Sequence, residues 1–131
     1  MKKELDKDIV INIENIKMRF HNTSDLKFRE MKFGWMDTAL ALVYIEGIVD
    51  SAMLEESVMN RIAEADKSVK GKRLIESLTK KILTTPLVET VKDLNKLTDS
   101  LLNGNAVVIV DGFSEAISVN VTKWQERSLE E

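Results

Sequence analysis

Two acidic residues, each set directly after an apolar run, are the clearest candidates for chemistry in this sequence. Asp111 ends "NAVVIVDG" and Glu46 ends "LALVYIEG". Open α/β enzymes keep catalytic or metal-binding acids just past the carboxyl ends of buried strands. Two such carboxylates can share a divalent ion if their strands are neighbours. With Asp50 added, Glu46, Asp50 and Asp111 could hold a small ligand or ion in a concave pocket. Against this, no further acid lies at ligand spacing, and His21 is the only histidine. There is no cysteine, no G-x-S-x-G and no glycine-rich phosphate loop, since the five glycines are dispersed. Nucleophilic catalysis therefore has no visible constellation. The residues predict no catalytic group, no metal site and no cofactor, hence no enzyme.

The elements around the two acids favour a backbone role for them. "NAVVIV" (105–110) reads as a buried strand and "EAISVNV" (115–121) as an alternating one, with Ile117, Val119 and Val121 on one face. Asp111 and Gly112 then open the hairpin loop "DGFSE", where glycine supplies a positive φ without steric cost. A catalytic aspartate of the α/β type precedes a crossover helix, whereas here a strand follows. Glu46-Gly47 lies inside an apolar segment that resumes as "IVD", so Gly47 marks a bulge or bend.

The rest of the chain supplies helices and a second hairpin. Leu5, Ile9, Ile13, Ile16 and Phe20 recur at spacings of three and four, predicting a helix over about 5–21. His21 at its end reads as a solvated cation favoured by the helix dipole. "LKFREMKFG" (26–34) and "TALALVYIEGIVD" (38–50) form a hairpin across "GWMD", the second strand being central because its apolar run does not alternate. Asp50 or Ser51 caps a helix striped by Leu54, Val58 and Ile62. A further helix within 64–83 carries Leu74, Leu78 and Ile82. "PLVETV" (86–91) is a short strand or extended edge. Residues 92–104 form a helix with Leu94, Leu97 and Leu101 inward and Gly104 as its C-cap. The expected class is α+β: a mixed, largely antiparallel sheet of about four strands in two hairpins, packed with three to four helices.

Length and composition fit one domain. The chain has 131 residues, 44% of them apolar, with a net charge of −3. No strong field favours nucleic acid. Neither a signal peptide nor a stretch near the roughly 20 apolar residues of a membrane span is evident, which sets a cytosolic, reducing compartment as the default. Residues 61–83 carry seven Lys/Arg against three Asp/Glu. That stretch reads as a solvated face, with anionic lipid or an acidic partner as the alternative. Trp35 and Met36 at the hairpin tip, with Phe113, are the candidates for an exposed apolar contact, and Trp124 for pinning the tail or anchoring an interface.

Three blocks of the sequence resemble the N-terminal soluble region of the A subunits of spore germination receptors, the GerA/GerK-type family. They are "HNTSDLKFREMKFG", "ALVYIEGIVDSAMLEESVM" and "LLNGNAVVIVDGFSEAISVNVTKWQERSLEE". The chain departs from the family pattern at Asn105 and Asn120, where aspartate is frequent, and at Lys123, where arginine is. The family continues beyond the position of Glu131 with a proline, a second α/β subdomain and a multi-helix membrane domain. The resemblance therefore implies that residues 1–131 are a first subdomain of a larger membrane protein, with Trp124, Glu126, Arg127 and Ser128 as the hinge. It implies a parent in the spore inner membrane with this domain on the cytoplasmic, spore-core side. It also implies partners among the A, B and C receptor subunits and the remainder of its own chain, and a role in nutrient-triggered germination. Two expectations compete: an assembly and signal-transmission module, or a domain that binds a germinant or ion.

Overall fold

The computed structural model describes residues 4–33, 37–64, 76, 78–79 and 88–123. Its elements are α1 (Ile9–Arg19), β1 (Leu26–Phe33), β2 (Thr38–Ile45), α2 (Ser51–Leu54), a π-helical turn (Glu55–Met59), α3 (Asn60–Glu64), β3 (Val88–Val91), α4 (Leu94–Leu102), β4 (Asn105–Val110) and β5 (Ala116–Asn120). The strands form one sheet in the order β1-β2-β4-β5-β3. Every neighbouring pair in it is antiparallel.

The sheet is covered on both faces, which explains why its inner strands read as unbroken apolar runs. Side chains alternate across a strand, so β4 sends Ala106, Val108 and Val110 to one face and Val107 and Ile109 to the other. The first face packs on Leu54, Val58 and Ile62 from α2 through α3, together with Leu78. The second packs on Ile9, Ile13 and Ile16 of α1 and Leu94, Leu97 and Leu101 of α4. A one-residue slip would exchange the two sets, so two distinct covering layers fix the register firmly.

The helix between Ser51 and Glu64 carries its stripe at four-residue steps, and each step leads the axis of an ideal α-helix by about 40°. Its π-helical turn, whose hydrogen bonds close one residue later, takes up that lead. Leu54, Val58 and Ile62 are all buried as a result.

Three elements differ from the sequence expectation. The sheet has five strands rather than about four, because the Pro86 segment contributes Val88–Val91 as a true edge strand paired with β5. The first helix starts at Ile9, not near Leu5. Asp8 caps it, and the chain before it is irregular rather than helical, with Glu4 bridging Asp93. It stops at Arg19, and His21 and Asn22 follow with φ of 55° and 57°. The second strand ends at Ile45, so Glu46-Gly47 forms a turn rather than a bulge within a longer strand. The helix expected within 64–83 falls mostly outside the described residues, as does Pro86.

Candidate functional site

The two acid-glycine pairs stand at opposite ends of the sheet. Both acids follow the carboxyl end of their strand, but β2 and β4 run antiparallel, with Leu40 opposite Val110 and Val43 opposite Val107. Asp111 donates its backbone N–H to Ala39 at 2.9 Å. Glu46 lies seven positions beyond Ala39 along β2, roughly 20 Å at about 3.3 Å per residue. Asp50 joins Glu46 at that far end. The structure therefore does not bring Glu46, Asp50 and Asp111 into one pocket, and the shared-ion arrangement has no geometry. Among the described residues, no three His, Cys, Asp or Glu side chains are grouped to hold a metal ion. His21 is exposed and stands in the turn after α1.

At one end, Asp111 and Gly112 hold the start of α1. The Asp111 Oδ1 accepts the Ile9 N–H at 3.0 Å, across 102 residues of chain. The Gly112 N–H donates to the Lys7 carbonyl at 2.7 Å. Asp8 accepts from Val10 N–H at 2.9 Å, so two carboxylates satisfy the first donors of the helix. Both carry negative charge where the helix dipole favours it. Gly112 has φ +93°, and its missing side chain leaves open space. Asn12 completes the anchor: it is 1% exposed, and its amide both accepts from Asp6 N–H at 2.8 Å and donates to the Asp6 carbonyl at 2.7 Å. Phe113, partly buried, packs against the core on the opposite face of the sheet.

The other end ties the last described residues down. Val49 bridges Thr122, Asp50 N–H donates to Val121 at 2.7 Å, and Lys123 N–H donates to Ile48 at 3.0 Å. The Asp50 carboxylate accepts from Met53 N–H at 3.1 Å and so caps α2. Glu46 faces solvent, 3.6 Å from Lys27 Nζ. Gly47 turns the chain with φ +104°. Gly104 does more than end α4. At φ +89°, a Cβ there would lie 2.8 Å from Thr122 Oγ1 and 3.1 Å from the Ile48 carbonyl. The Thr122 hydroxyl donates to Asn103 at 2.8 Å across the same junction. Asn105 and Asn120, two of the departures from the family pattern, are cross-strand partners. The Asn120 side chain accepts from Thr122 N–H at 3.1 Å, and Asn105 donates to Ser118 at 3.1 Å.

Asn12 and Thr122 were not singled out by the sequence reading. The Asp6, Asp8, Asn12 spacing ahead of an apolar stripe is a usable signal for the first, whereas nothing local marks the second. Trp35, Met36, Trp124, Glu126, Arg127 and Ser128 lie outside the described residues.

Comparison with known proteins gives this geometry its setting. Residues 14–131 match the Bacillus/Clostridium GerA spore germination protein family. The chain belongs to that family. It is 32% identical over 121 residues to spore germination protein KA of Bacillus subtilis strain 168, covering 92% of this chain and 22% of that protein. It is 30% identical over 128 residues to the uncharacterized membrane protein YfkQ of the same organism, covering 92% of this chain and 23% of that one. The fold matches the crystal structure of the N-terminal domain of the A subunit of the Bacillus megaterium spore germinant receptor GerK3. That match has a TM-score of 0.82 and 28% identity, and covers 94% of this chain and 49% of that one. The chain thus spans about a quarter of these curated relatives and half of the solved domain.

Proposed function

We propose that this chain is the first half of the N-terminal region of a spore germinant receptor A subunit, and that it serves subunit assembly or signal transmission without catalysing a reaction. The observation that carries this reading is the match to the GerK3 A-subunit domain over nearly the whole chain. The state of the acids supports it. Asp8, Asp50, Asp93 and Asp111 each accept a helix N-terminal N–H, so these carboxylates hold the scaffold together. The partners in this reading are the remainder of its own chain and the A, B and C receptor subunits. The parent lies in the spore inner membrane with this domain on the core side, in keeping with a relative named as a membrane protein.

The sheet end that carries Lys123 is the surface best suited to the rest of the domain. Ile48 and Leu102 are 38% and 58% exposed there, beside the Gly104 junction. Apolar side chains exposed at such a place mark a covered interface in the parent. In spores carrying the parent receptor with Ile48→Glu and Leu102→Glu, the isolated domain should fold as before. The nutrient response should fall, or the A subunit should fail to accumulate. A full response with normal subunit levels would overturn the assembly reading, and turnover of a substrate by the isolated domain would overturn the non-enzymatic one.

A further inference from the structure

Beyond β5 the chain leaves the sheet through Val121, Thr122 and Lys123, and this short piece is held from two sides. On one side lies the connection from β2 to α2. Asp50 N–H donates to the Val121 carbonyl at 2.7 Å and Lys123 N–H to the Ile48 carbonyl at 3.0 Å, the two bonds flanking the bridge between Val49 and Thr122. On the other side lies the connection from α4 to β4. The Thr122 hydroxyl donates at 2.8 Å to the carbonyl of Asn103, the C-cap of α4. Gly104 next to it has no room for a side chain, because Thr122 and the Ile48 carbonyl fill that space. Thr122 is buried between the two connections.

Each connection borders a helix of a different layer. α2 packs on one face of the sheet through Leu54, and α4 on the other through Leu97 and Leu101. Asp50 holds the outgoing piece with its backbone N–H and caps α2 with its carboxylate. Asn103 accepts from Thr122 on its carbonyl while its own N–H closes the last turn of α4 on Asp99. A displacement of residues 121–123 therefore acts at once on the start of α2 and the end of α4. The start of α1 stands apart from it, held by Asp111 and Gly112 at the opposite end of the sheet.

We infer that residues 121–123 are a strap that couples the outgoing chain to both helical layers, with Thr122 as its pin. Coupling between distant parts needs a discrete element that both parts bias, and the two-sided attachment makes the strap that element. A short segment held by two backbone bonds and one hydroxyl bond to these connections opens at lower cost than the five-stranded sheet, and opens as a unit. The inference rests on the signal-transmission side of the A-subunit reading, in which the remainder of the chain displaces the strap. Its failure would leave assembly through Ile48 and Leu102 standing.

Amide hydrogen exchange of the chain, read residue by residue by NMR, tests it. Asp50 and Lys123 should share one opening constant, larger than that of the amides within β4. Thr122→Val keeps a branched side chain and removes the hydroxyl donor. It should speed exchange about fivefold, the scale of one lost hydrogen bond, together at Lys123, Asp50, Met53 and Asn103, and leave Ile9 unchanged. Thr122→Ser keeps the donor and should preserve the wild-type pattern. In spores carrying the parent receptor, Thr122→Val should weaken the nutrient response at normal subunit levels, and Thr122→Ser should not. A rise confined to Lys123 would overturn the inference, because the strap would then open without either helix. An equal rise at Ile9 would overturn it as well, marking a general loss of stability. A full spore response in Thr122→Val would overturn the strap as a signalling element whatever the exchange pattern.

Discussion

Glu46-Gly47 and Asp111-Gly112 look alike in the sequence, each an acid and a glycine after an apolar strand, yet they do different work. At Asp111 the carboxylate reaches the first turn of α1 from the far end of the chain, and the glycine beside it bonds Lys7. At Glu46 the carboxylate faces solvent, and the holding role passes to its neighbours Val49 and Asp50, and to Gly104 across the sheet. The difference teaches that the helix packed above a turn, rather than the turn motif itself, decides whether its acid matters. Among the described residues, the helix N-terminus at the Lys123 end is the one that Asp50 already caps.

Substitutions at the two ends sharpen this contrast, and the largest effect belongs to the close approach at Gly104. Gly104→Val puts a branched side chain at positive φ against Thr122 and the Ile48 carbonyl. It should cost roughly 3 kcal/mol or more, combining backbone strain with overpacking, read as a lowered urea midpoint. Next come Gly112→Ala and Gly47→Ala, both at positive φ with open space around the missing Cβ. Each should lose about 1–2 kcal/mol from backbone strain alone, and similar values at the two sites would show that the glycines are equivalent where the acids are not.

The acids themselves should then separate. Asp111→Ala should cost about 1 kcal/mol, the value of a helix cap, while Asp111→Asn should cost a few tenths at most because an amide oxygen accepts the same bond. Glu46→Gln should change stability by less than about 0.5 kcal/mol, since its pair with Lys27 is solvent-exposed. Chemical denaturation of the three variants measured side by side checks all of these. A loss at Glu46 equal to that of Asp111→Ala would erase the contrast.

Much of the scaffold was legible in the sequence, for physical reasons. Apolar stripes at three and four residues gave α1 and α4, and unbroken apolar runs gave β2 and β4 as inner strands. The Asp50-Ser51 pair set before a striped segment marked the start of α2, and of the two it is Asp50 that caps it. The α+β class followed from two hairpins among helices, and the resemblance to germination receptors rested on ordered blocks that the family match also covers. The edge strand β3 was harder to read, because four residues with two exposed side chains carry little periodicity and only pairing with β5 defines them. The early part of α1 misled for a related reason: Leu5 continues the apolar spacing, but it is buried from an irregular segment rather than a helix. The site was the least legible part. Sequence spacing cannot say which end of an antiparallel sheet an acid occupies, so a shared ion between Glu46 and Asp111 stayed open beside their favoured turn roles, and the antiparallel pairing of β2 with β4 separates the two acids. The contact from Asp111 to Ile9 spans nearly the whole chain, and no local pattern announces it.

The most direct test of this account is the amide hydrogen-exchange rate of Ile9, measured by NMR in the wild-type chain and in the Asp111→Asn and Asp111→Ala variants. The account predicts slow exchange in the first two and a rise of about fivefold to tenfold in the third, the equivalent of roughly 1 kcal/mol of lost capping. An unchanged rate in Asp111→Ala would contradict it, because the carboxylate would then not be holding the first helix.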